Sequence, residues 1–111
     1  MWFIFPQLKG LGQSETARLY AIEDLAEAQQ FLQHPILGAN LIEISQSLLM
    51  VTNRTARDIF GYPDELKLRS SMTLFLKGDE QQTVFWSVLD QFFEGVLDNQ
   101  TLTRLDKKTS T

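Results

Sequence analysis

The chain has 111 residues, 43% hydrophobic and 22% charged, with ten Lys and Arg against fourteen Asp and Glu for a net charge of -4. That length holds one domain, burying roughly two-thirds of its unfolded surface, and the composition excludes intrinsic disorder. The acidic balance disfavours nucleic acid as a partner, zero Cys removes disulfides, thiolate nucleophiles and Cys-built zinc sites, and a single His leaves no pair for a His-rich metal site.

Met1 to Phe5 form an apolar run ended by Pro6, Gln7 and Lys9, too short for a membrane span and lacking the basic lead of a signal peptide. A cytoplasmic chain with no membrane partner is therefore expected. An apolar start with no polar lead-in also raises the expectation that sequence precedes Met1. Trp2, Phe3 and Phe5 read either as core, the ordinary fate of such a cluster, or as an exposed patch through which the chain dimerises. The two Asn-x-Thr patterns, at Asn53 and Asn99, carry no meaning without secretion.

Lys9-Gly10-Leu11-Gly12-Gln13 reads as a turn, after which Ser14 caps a short helix through Tyr20. From Asp24, Leu25, Ala28 and Leu32 recur at helical spacing until Pro35 forces His34 out of the helix. Pro35 suits the first turn of the next helix, along which Leu37, Leu41, Ile44, Leu48 and Val51 form one stripe, and His34 is placed to cap it. Gly38 and Ala39 near its start would let another backbone approach closely, as a tight helix crossing requires.

Thr55 to Phe60 reads as a single turn closed by Gly61. A helix over 63–77 follows, with Asp64 and Glu65 in its first turn, Leu68, Met72 and Phe75 as its buried stripe, and Gly78 as its stop. Ser70, Ser71 and Thr73 give it a polar, partly buried face whose hydroxyls need partners. Between Asp79 and Glu94, Val84, Phe85, Val88, Leu89, Phe92 and Phe93 fill two adjacent stripes, which predicts the central helix of the fold. Asp98 or Asn99 then caps a last short helix bearing Leu102 and Leu105, and Asp106 to Thr111 read as a polar tail. No segment alternates at period two. The expected fold is a single all-α domain of five to six helices over 1–105, with a tail over 106–111.

Chemistry has few places to sit. Gly10-x-Gly12 ahead of Ser14, with Lys9 beside it, can cradle an anion with backbone N–H groups, or can be a plain tight turn with a capping Ser. Lys67 and Ser71 stand at i, i+4 and Asp64 and Lys67 at i, i+3, which reads as an ion pair plus a buried hydroxyl. The sharper alternative is a Ser-Lys nucleophile, which needs a desolvated Lys and an oxyanion hole. The carboxylates are scattered or sit at helix starts, so no acid-base dyad, catalytic residue, metal ligand set or cofactor can be named. The candidate ligand contacts are Lys9, Gly10, Gly12, Ser14, Lys67, Ser70 and Ser71, expected to share one pocket for a small anion.

The strings Met1-Trp-Phe-Ile-Phe-Pro-Gln7, Gly10-Leu-Gly-x-Ser14, Tyr20-Ala-Ile22, His34-Pro-x-Leu-Gly38, Asp64-x-Leu-Lys-Leu-Arg-Ser-Ser-Met-Thr-Leu-Phe75 and Gly95-x-x-Asp98-x-x-Thr101-Leu102 together resemble the uncharacterised domain-of-unknown-function family 1810. The resemblance implies a compact multihelical fold without an established activity. It also implies that Met1 is internal, because the family carries a further helix and a Gly-x-Lys-x-x-His-Trp stretch directly before Met-Trp-Phe. Some members bear a calpastatin-like label. Calpain inhibitors of that name are disordered repeats, which this chain is not. Three functions stay open: a binding domain for a phosphorylated or nucleotide-like molecule; an enzyme similar in fold type to helical glycosidases acting on ADP-ribose-like and riboflavin-pathway substrates; and a protein-interaction module using the Trp2 to Phe5 surface. Positive charge gathered around Gly10 to Ser14 would favour the first, a buried carboxylate facing a pocket the second, and an exposed aromatic patch the third.

Overall fold

Asp24 starts the first described helix by accepting the Glu27 N–H on its side chain at 2.9 Å, and α1 (Leu25–Gln33) follows. The structure is a computed structural model that describes residues 5–7, 21–62 and 64–109, with side chains up to Asp106. The expected helix over 14–20 lies outside those residues. At His34 the chain reverses: its Nδ1 accepts the N–H groups of both Ile36 and Leu37 at 3.1 Å, so α2 (Leu37–Leu49) begins on an imidazole cap. Pro35 sits in the turn ahead of that helix. Gly38 does allow a close approach, but locally: a Cβ there would lie 2.1 Å from the Leu32 carbonyl oxygen, in the last turn of α1. Ala39 is exposed and takes no part.

A reciprocal capping box between Thr55 and Asp58 opens α3 (Ala56–Phe60), and Gly61 closes it at φ +76°, a conformation that costs glycine little. Next comes α4 (Asp64–Gly78), with acidic residues in its first turn and Lys77 in its last, both favourable to the helix dipole. Asp79 does not open the following helix. Its side chain and carbonyl hold the N–H groups of Gln81 and Gln82 in a turn, and α5 (Thr83–Phe93) starts beyond it. Glu94 and Gly95, both left-handed, end α5, and Asp98 caps α6 (Asn99–Thr109), which stays helical beyond Asp106.

The six described helices make an all-α fold, with α4 in the middle: α1, α3, α5 and α6 pack around it, and α2 packs on α1 and α5. This places α4, not α5, at the centre. Leu68, Met72, Leu74 and Phe75 of α4 are all fully buried, whereas Phe92 and Phe93 of α5 are only half-buried and Trp86 is 44% exposed. A helix apolar over more than half its girth still keeps one side toward solvent when two of the described helices pack strongly on it. The core runs as a chain of rings, Phe31 to Phe75 at 5.4 Å and Phe75 to Phe85 at 5.8 Å. Val88, Leu89, Leu41, Ala28 and Leu105 fill in around them. Phe5 takes the core alternative, 2% exposed and edge-on to Phe60 at 6.1 Å. Its segment is tied in by the Ile22 N–H donating to the Gln7 carbonyl. Trp2 and Phe3 lie outside the described residues. The radius of gyration, 13.0 Å, is that of one packed domain of this length.

Candidate functional site

The polar face of α4 follows from its composition. Short hydroxylated side chains inside a helix bond back to the carbonyl one turn earlier, and here Ser70 Oγ donates toward the Leu66 carbonyl at 3.1 Å and Thr73 Oγ1 to that of Arg69 at 2.8 Å. Both hydroxyls also reach the start of α6. Asp98 Oδ2 accepts from Ser70 Oγ at 3.1 Å, from the Thr101 N–H at 3.0 Å and from Thr101 Oγ1 at 2.6 Å, while the Asp98 N–H donates to Thr73 Oγ1 at 2.9 Å. A hydroxyl carries one proton, so Ser70 shares it between Leu66 and Asp98. The Arg69 guanidinium completes the cluster, 3.9 Å from Asp98 Oδ1 and 6.0 Å from the centre of the Phe93 ring, with its Nε–H buried and unpartnered among the described residues.

On the adjoining ridge of the same helix, Lys67 Nζ pairs with Asp64 Oδ1 at 3.1 Å, with only 20% of the Lys67 side chain exposed. Ser71, at i+4, is fully buried, and its Oγ has no hydrogen-bond partner among the described residues. The ion pair and the buried hydroxyl expected from the spacing are thus both present. Lys67 does not bond Ser71, so among the described residues no proton acceptor holds that hydroxyl in the way a nucleophile requires.

Lys9, Gly10, Gly12 and Ser14 lie outside the described residues. Of the seven candidate contacts, Lys67, Ser70 and Ser71 can be located: they stand together on α4, Lys67 and Ser71 on one ridge and Ser70 turned to Asp98. Open grooves run elsewhere, one of about 330 Å³ around Arg54 and Gln91 and one of about 380 Å³ between Gln33 and Asp79. Among the described residues no three His, Asp or Glu side chains gather as a metal site would, and no helix is long and apolar enough to cross a membrane.

Asp98 is the residue whose role the sequence conceals. Its Asp98-x-x-Thr101 spacing marks it as a helix cap, and it is one. That it also answers the hydroxyls of Ser70 and Thr73, 28 and 25 positions earlier, is a tertiary fact with no local signal. Its Oδ2 is occupied by three donors, so this carboxylate caps α6 and tethers it to α4.

A single all-helical domain with a hydroxylated central helix clasped to the cap of its last helix is the architecture in hand. The chain belongs to the protein family of unknown function DUF1810, whose profile matches residues 1–105. Among solved structures it is similar to the conserved hypothetical protein Rv1873 from Mycobacterium tuberculosis, a crystal structure at 1.38 Å. The TM-score is 0.92 and the identity 44%, over 94% of this chain and 74% of that one. No functionally curated protein matches the sequence.

Proposed function

We propose that this domain binds a small anionic ligand, phosphorylated or nucleotide-like, with Lys67 and Ser71 of α4 and the residues Lys9, Gly10, Gly12 and Ser14 as its contacts. The observation that carries the reading is the Ser71 hydroxyl, fully buried and without a partner among the described residues, one turn along the helix from Lys67. An unpartnered buried hydroxyl is costly to a fold and is worth keeping where a ligand oxygen satisfies it. The Lys67 ammonium supplies charge on the same ridge, and Asp64 holds it in place. Ser70, bonded to Asp98, contributes by fixing the neighbouring turn of the helix.

Inorganic phosphate and ADP-ribose serve as probes, read by isothermal titration and by thermal melting of the whole chain. Either probe is expected to raise the Tm, and Lys67→Ala and Ser71→Ala each to weaken binding by about tenfold, the loss of one charge-assisted hydrogen bond. Without ligand, Ser71→Ala should melt no lower than the parent, because it removes an unsatisfied group. Absence of binding at millimolar probe, or equal affinity in parent and both variants, overturns the reading.

A further inference from the structure

We propose that α6 is a strap that lifts from α4 while the other helices stay folded, with the Asp98 cluster as its latch. The composition of α6 comes first. Among the described side chains of Asn99–Thr109, Thr101 and Leu105 are buried and Leu102 is half-buried, and the others are polar and exposed. Among the described residues the apolar burial of this helix rests on Leu105 and Leu102, a small share of its length. The described helix on which it chiefly packs is α4.

What holds its start is polar. Asp98 collects the Ser70 hydroxyl and both donors of Thr101, and returns its own N–H to Thr73, so four hydrogen bonds converge on the residue that starts α6. The connection from α5 is short: Glu94 and Gly95, at φ 55° and 76°, form a hydrogen-bonded cap that ends α5, and Val96 beyond it is 52% exposed. Polar bonds depend steeply on distance and angle, so a latch made of them opens as a unit and not by gradual loosening. Lifting α6 would uncover Ser70, Thr73 and the Arg69 guanidinium, whose Nε–H is buried without a partner among the described residues in the docked state. An interior polar face would then become a surface that attracts anions. The latch stands independently of the ligand reading above.

Native-state hydrogen exchange of the full chain, followed amide by amide with rising sub-denaturing urea, tests this. In the parent, amides of residues 102–106 should exchange through an opening of low urea dependence, at lower protection than the buried stretches of α4 and α5. Asp98→Asn should cut protection in α6 by about tenfold or more, as expected for weakened charge-assisted bonds and a weaker cap, and leave α4 and α5 unchanged. Ser70→Ala and Thr73→Val each remove one bond of the latch and should act the same way to a smaller extent, which covers the case of an unfolded Asp98 variant. The proposal is overturned if α6 exchanges only with the urea dependence of global unfolding, or if these variants lower protection equally in all helices.

Discussion

His34 accepts two backbone N–H groups on one ring nitrogen, and nothing else among the described side chains caps α2. His34→Ala should therefore lower stability by about 1 kcal/mol, and His34→Asn, a good capping side chain, should retain most of it. Urea midpoints of the three proteins decide this. Asp58 makes a second prediction at the same scale. The Thr55 backbone N–H, and then the Thr55 hydroxyl, hold its carboxyl below the ordinary value of 3.8, with a smaller contribution from Arg54 and a small opposing effect of burial. A depressed folded pKa means that the capping box contributes fully above the unfolded value and is lost as the pH falls through the folded one. Between about pH 5 and about pH 3 the parent should lose more stability than Asp58→Asn, in which that carboxyl no longer titrates. Parallel acid profiles for the two would show that the box has no energetic role.

Helix ends and helix crossings set the behaviour of the elements. Gly38 and Gly78 are both helical glycines beside α1, and they should respond oppositely to alanine. A Cβ at Gly38 would meet the backbone oxygen of Leu32 at 2.1 Å, so α1 and α2 would have to separate. Gly38→Ala should cost about 3 kcal/mol or more, as overpacking against an unyielding neighbour does. At Gly78 the nearest atoms, from Ala28 and Leu32, would be 3.6 Å away, an ordinary contact. Gly78→Ala should be neutral or stabilising by up to about 1 kcal/mol, the gain in helix propensity. Thermal melts of the pair check both signs at once. The close approach at Gly38 was legible as a need for a small residue near the start of α2, but its partner was not: the contact comes from the reversal at His34-Pro35, not from a distant helix.

Across the whole molecule the core is organised around α4, and that changes which aromatic matters most. Phe85 is fully buried against Phe75, while Phe92 on the same helix is half-buried. Phe85→Ala should cost about 3–5 kcal/mol, a large share of the stability of a small domain, and Phe92→Ala clearly less. Equal urea midpoints for the two would contradict the placement of α4 and α5. The apolar stripes of α5 alone suggest the opposite emphasis, because hydrophobicity counts the side chains that a helix offers and not the neighbours available to cover them.

Periodicity near 3.6, proline and glycine stops and capping side chains are local properties, and they determined the described helices α1 to α6 with ends displaced by a few residues. The His34 cap, the Thr55 turn closed by Gly61 and the Asp64–Lys67 ion pair were all readable, since each joins residues within one turn of chain. The same locality put Lys67 and Ser71 on one ridge. Tertiary structure decided the rest. Burial depends on how many helices surround another, so only the packing could make α4 central, and a buried hydroxyl is satisfied by whichever chain segment lies opposite. For Ser70 and Thr73 that segment is Asp98, and for Ser71 none of the described residues fills the place.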